Sequence, residues 1–159
     1  MPYDVNDPAL RDTFLRTGFS AALAGLAESS VAGWGRMGPQ EMVEHLIWAL
    51  EVSTGRVTVA CHTPAEELPP LKRFLLSNRP SPREFMNPAL TGGLPPLRHP
   101  SLPAAKAALE AALSGFLDRP SEGLQTHPVF GPLSHEEWHR MHYKHFHHHL
   151  EQFGLGAGG

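Results

Sequence analysis

Apolar side chains recur at helical spacing in four stretches of this chain, and strand-like alternation is absent. Leu10, Phe14, Leu15, Phe19, Ala22, Leu23 and Leu26 fall three or four residues apart. Asp7 before Pro8 supplies a cap and a proline at the first helical position, so a helix is predicted from Pro8 to Glu28. Gly18 and Gly25 weaken it by about 1 kcal/mol each relative to alanine. Gly38-Pro39-Gln40-Glu41 opens a second helix, running to about Val57 or Val59. At about 100° per residue, Gln40, Glu44 and Glu51 form one narrow polar stripe on it. Met42, Val43, Leu46, Trp48, Ala49, Leu50 and Val52 cover nearly everything else. This helix is therefore mostly buried, and His45 points into its apolar side. Ser101 caps a third helix, with Leu102, Ala105, Leu109, Ala112, Leu113, Phe116 and Leu117 on one face. Ser134 and Glu137 form a capping box at the head of a fourth, which runs to Phe153 and stops at Gly154.

Between the second and third helices the pattern breaks up. Nine of the 16 prolines fall from Pro64 to Pro100 and forbid long helices there. Leu71 to Ser77 and Ser81 to Asn87 have room for short helical turns only. A stretch of about forty residues is too long for an ordinary connection, so it reads as a crossover that also covers one end of the molecule. Trp34, in the connection before Gly38, plugs an end of the core. His127 to Leu133 reads as a compact apolar turn. The expected architecture is all-α, a four-helix bundle with one long crossover between helices 2 and 3. Residues 1–154 form one domain and 155–159 a flexible tail.

Composition narrows the partners. The net charge is −3 and the 13 basic residues are scattered, which argues against a nucleic-acid surface. A single cysteine, Cys61, excludes an internal disulfide and suits a reducing compartment. No apolar run approaches the roughly 20 residues of a membrane span, and no leader pattern opens the chain. A cytoplasmic protein without membrane or nucleic-acid partners is expected.

Seven of the 11 histidines lie between His135 and His149. Helical spacing sorts them. With His145 at the origin, His149 falls at about 40° and His142 at about 60°, inside the apolar arc, while His147 at about 200° faces away. His148 sits at the edge. Lys144, Glu151, Arg140 and Glu136 make up the polar arc. Residues four apart on a helix are neighbours, so His145 and His149 can offer two imidazoles to one metal ion. His45 on the buried second helix supplies a third. Three neutral imidazoles in a core are costly without partners, and a metal satisfies one nitrogen on each. His142 is the competing ligand and could replace His149. Three nitrogens leave a coordination position open and suit zinc, nickel, copper or iron. Gln152 or Glu41 could orient a ligand, and Glu41 could act as a general base, although a charge at the helix N-terminus explains Glu41 better. His62, His99, His127 and His135 are expected at the surface or in turns.

The segments Gly38-Pro39-Gln40-Glu41-Met42-Val43-Glu44-His45-Leu46 and His145-x-x-x-His149-x-x-Gln152 together resemble the DinB-like (YfiT-like) superfamily of metal-dependent proteins. Trp34-Gly35-Arg36-Met37 and the segment from His127 to Trp138 are similar to a bacterial branch of it. The resemblance spans most of the chain from Trp34 to Gly154. It implies an up-down-down-up four-helix bundle, a zinc or nickel ion on His45, His145 and His149, and a homodimer. Relatives in that superfamily include thiol-dependent transferases and isomerases. With the chemistry of a three-histidine metal ion, which lowers the pKa of a bound low-molecular-weight thiol or water, the expected function is a metal-dependent enzyme of S-transferase or hydrolase type. The alternative from the residues is a non-catalytic, metal-binding or dimerising bundle, whose site a fourth protein ligand such as His142 or Glu41 would close.

Overall fold

The computed structural model describes residues 2–83, 93–120 and 122–156. The first helical run begins at α1, Pro8–Thr13, where Asp7 accepts from the Leu10 N–H. It continues through a π-helical turn, Phe14–Gly18, into α2, Phe19–Leu23. The Phe19 N–H reaches back five residues to the Phe14 carbonyl. That extra residue re-phases the helix, so Phe14, Leu15, Phe19 and Leu23 all enter the core. The run stops at Leu23 rather than Glu28, because a turn follows in which the Gly25 N–H bonds to the Ala22 carbonyl.

The second helix, α3, spans Pro39–Ser53, and Glu41 Oε1 accepts from the Gly38 N–H at 2.9 Å. The macrodipole reading of Glu41 therefore becomes specific: its carboxylate closes the helix start. Ser53 and Thr54 hydroxyls both donate to the Leu50 carbonyl, and Gly55 at φ +81° turns the chain away before Val57. The crossover contains α4, Leu68–Arg73, flanked by 3₁₀ turns at Ala65–Glu67 and Phe74–Leu76. This accords with the short helix expected at Leu71–Ser77. The one expected at Ser81–Asn87 lies mostly outside the described residues. Where the crossover returns, the backbone N–H groups of Arg98 and His99 donate to the Glu44 carboxylate. The polar stripe of α3 is thus the seat on which the returning chain docks.

The third long helix, α5, spans Leu102–Asp118 with Ser101 as its cap, and packs chiefly against α3. A hairpin follows: β1, Gln125–His127, pairs antiparallel with β2, Gly131–Leu133. The turn predicted at His127–Leu133 is therefore part of a small sheet, and the fold is mostly helical but not purely all-α. Gly131 sits at φ +75°, and a Cβ there would meet Leu68 at 2.9 Å. Both the left-handed backbone of a three-residue hairpin loop and the close approach of α4 require glycine. The indole of Trp138 donates to the Gln125 carbonyl, tying the hairpin to α6, His135–Gln152. The capping box of Ser134 and Glu137 is formed as expected. α6 packs against α1, α2 and α3, and its Phe146, Tyr143, Leu150 and Trp138 fill the centre of the core. Leu155, placed by sequence in the tail, packs against that core as well. No helix among the described residues is long and apolar enough to cross a membrane.

Candidate metal centre

The site forms where α3 and α6 cross. His45 lies nearly two turns into α3, and His145 and His149 stand one turn apart on α6, so three imidazoles meet edge to face. His45 Nε2 lies 3.0 Å from His145 Nε2, and His149 Nε2 lies 3.1 Å from the same atom. Ligand nitrogens at about 2.0–2.1 Å from a tetrahedral ion stand about 3.3 Å apart. Both contacts to His145 are within a few tenths of an ångström of that spacing, and the three ligand atoms all lie within 4.8 Å of one another. Among the described residues, no Asp, Glu or Cys joins the three histidines.

Proton accounting shows what the cluster needs. His149 Nδ1 donates to Gln152 Oε1 at 2.7 Å, while Gln152 Nε2 donates to the Trp34 carbonyl at 2.9 Å. Gln152 can only accept on the side facing His149, so the neutral imidazole keeps a bare lone pair on Nε2. A proton on His145 Nε2 can serve one of its two neighbours at full strength. If that proton is absent, His45 can donate to His145, but two lone pairs then face each other across the His145–His149 contact. Neutral rings therefore satisfy at most one of the two short contacts, whereas a cation between them satisfies all three nitrogens. His145 Nδ1 is buried with no hydrogen-bond partner among the described residues, so its other edge relieves nothing.

Burial sets the protonation state. It lowers the proton affinity of His45 to about 4, with His148 adding a smaller push. Burial first, then the neighbouring imidazoles, holds His145 and His149 well below the usual histidine range. All three are neutral at physiological pH, which is the ligand form. As whole residues His45 and His145 are half-buried and His149 is buried, while their rings are almost wholly enclosed. Trp48 stacks beside His45 with ring centroids 6.0 Å apart, and Trp34 meets His148 edge-on at 5.6 Å. The loop carrying Trp34 is fastened to the end of α6 twice, through the Gln152 side chain and through its carbonyl, which accepts from the Gly33 N–H. Trp34 thus flanks the site.

The other histidines have separate roles. His142, the competing ligand, lies outside the cluster and is fully buried. Its Nε2 donates to Ser53 Oγ at 2.9 Å, because the Ser53 hydroxyl proton is already committed to Leu50. His147 does not face away from the protein. It stacks on Phe14 at 3.7 Å and meets Tyr3 and Tyr143 edge-on, a layer supplied by the N-terminal segment and the π-helical turn. Lys144 is likewise buried rather than on a solvated arc, with its ammonium over Phe74 and bonded to the carbonyls of Ser77 and Arg79. His127 is buried, its Nδ1 accepting from the Val129 and Phe130 N–H groups, and burial pushes it down to about 3. The Arg83 guanidinium lies 4.3 Å from the Trp34 ring centroid, a contact between two segments remote in sequence that no helical spacing signals.

No curated protein and no solved structure matches the chain. The family whose sequence profile matches is described as "Protein of unknown function (DUF1569)", over residues 71–154. This overturns the DinB-like resemblance: nothing places the chain in that superfamily, and the thiol chemistry and dimer it implied lose their support. The matched span includes His145, His149 and Gln152 but not His45, so the triad stands on its geometry alone. Just over half of the chain lies inside the match, and the protein belongs to the DUF1569 family.

Proposed function

We propose that the protein is a metal-dependent enzyme of hydrolytic type, with a divalent transition-metal ion held by His45, His145 and His149, the three imidazoles suiting zinc, nickel, copper or iron. The observation that carries this reading is the convergence of three Nε2 atoms whose two short contacts no arrangement of protons can satisfy. Part of the proposal is the scaffold itself: the four long helical runs read as a four-helix bundle in up-down-down-up order, with the ligands on two of its helices.

An ion in this place supplies Lewis acidity, lowering the pKa of a coordinated water toward neutrality. The chain's own groups do the rest. Gln152 fixes the tautomer and ring plane of His149, the outer-partner role common at metal-bound histidines. Burial keeps the three imidazoles unprotonated. Substrate would approach past the half-buried His45 and His145, where Trp48 stacks beside His45 and Trp34 meets the neighbouring His148. A structural site would be closed by a fourth protein ligand. The two candidates are otherwise engaged, His142 on Ser53 and Glu41 on the Gly38 N–H. That favours a catalytic over a structural ion.

Metal analysis of protein purified without a nickel column tests the reading. Wild type and His142→Ala should carry about one ion per chain, and His45→Ala and His149→Ala should lose it. Unchanged stoichiometry in both of the latter variants sinks the site.

A further inference from the structure

The ligand set is neutral, and no carboxylate or thiolate joins it among the described residues. A divalent ion there would keep its full charge, unlike one in a site with a Glu or Cys ligand. A second positive group is joined to the cluster through two aromatic rings rather than by direct contact. The Arg83 guanidinium lies over the Trp34 ring at 4.3 Å, and Trp34 in turn meets His148, whose ring centroid is 5.0 Å from that of His149. The Trp34 backbone is anchored to the same glutamine that orients His149. Stacking on an indole leaves the edge of a guanidinium, with its fork of N–H donors, free to take a planar or tetrahedral oxyanion bidentately. No carboxylate pairs with Arg83 among the described residues, as is also true of Arg36, Arg56, Arg73, Arg79 and Arg119. The Trp34 Nε1–H also lacks an acceptor among the described residues.

Resting on the metal reading above, we propose that the site acts on anionic substrates. Arg83, held on Trp34, binds an oxyanion group of the substrate, a carboxylate or a phosphate, beside the three histidines. Arg83 is a specificity residue in this scheme and takes no part in holding the ion. The two positive groups raise the local concentration of anions at the mouth and fix the orientation of the one that binds.

The test uses the full chain loaded with cobalt, whose visible absorption reports on its ligands, titrated separately with inorganic phosphate and with acetate at constant ionic strength. Wild type should show a saturable spectral change with at least one of them, and which one identifies the oxyanion. Arg83→Met should load cobalt like wild type but bind that anion roughly tenfold to hundredfold more weakly, the worth of a charge-assisted hydrogen bond. Equal anion affinity in Arg83→Met and wild type overturns the inference, as does a wild-type spectrum that neither anion perturbs. Failure of wild type to take up cobalt, or uptake that survives His149→Ala, refutes the metal reading and this inference with it.

Discussion

Gln152 is the residue whose replacement tests the site most sharply. Gln152→Leu keeps the approximate volume and the backbone bond to Gly33, but removes both side-chain hydrogen bonds: the acceptor for His149 Nδ1–H at 2.7 Å and the donor to the Trp34 carbonyl at 2.9 Å. Gln152 and His149 are about 95 % buried, so water cannot replace what is lost. Each orphaned group costs about 1–3 kcal/mol, and the partial exposure of the Trp34 loop puts the sum near 2–4 kcal/mol. For a chain of this length that is a fall in Tm of about 5–15 °C. His149 is also freed to turn its ring or switch tautomer, which should weaken zinc binding about 10- to 100-fold. Denaturant unfolding in chelator measures the first effect, and zinc competition against a chromophoric chelator the second. Gln152→Glu separates them. Its carboxylate still accepts from His149 and should hold zinc well, while it faces the Trp34 carbonyl without a donor and should still destabilise the fold. The reasoning fails if Gln152→Leu unfolds within about 0.5 kcal/mol of wild type and binds zinc equally well.

Ser53→Ala should cost about 1–3 kcal/mol in denaturant unfolding, because it strands the His142 Nε2–H in the core, and it should leave zinc binding unchanged. A loss of zinc there would mean that His142 belongs to the site after all. His127 gives a pH prediction. Its folded pKa, near 3, lies below the unfolded value near 6.5, so the unfolded chain takes up the proton first as pH falls. Its share of stability is complete above about pH 6.5 and is lost toward pH 3, at about 1.4 kcal/mol per pH unit, or roughly 2 kcal/mol by pH 5. His127→Asn offers an oxygen to the same two N–H groups without titrating, so its stability should fall less steeply between pH 6.5 and 5. Parallel profiles for the two proteins would refute the assignment.

The helices and the triad were legible because both rest on angular periodicity. A wheel places His45, His145 and His149 on apolar faces, and two apolar faces that carry histidines have to meet. The wheel says nothing about what else covers a face. His147 and Lys144 were misjudged for that reason: Tyr3, Phe14 and Phe74 arrive from segments remote in sequence and bury residues that looked solvated. The hairpin was missed because strands of three residues are too short to show alternation; it shows in the antiparallel pairing of β1 with β2, with Gly131 at positive φ and Trp138 anchoring it. The early end of α3 follows from Gly55, whose left-handed turn no hydrophobic pattern encodes. Arg83 became visible only once Trp34 was located.

His45 and His145 are 100 residues apart in the chain, and the crossover, α5 and the hairpin all lie between them. An ion joining them would act as a reversible clasp across a very long loop, stabilising the folded state through its binding there. It cannot assemble until α3 and α6 have found each other, so it binds only chains in which that contact is already made. Its hold should therefore appear as slower unfolding, with little change in the rate of folding.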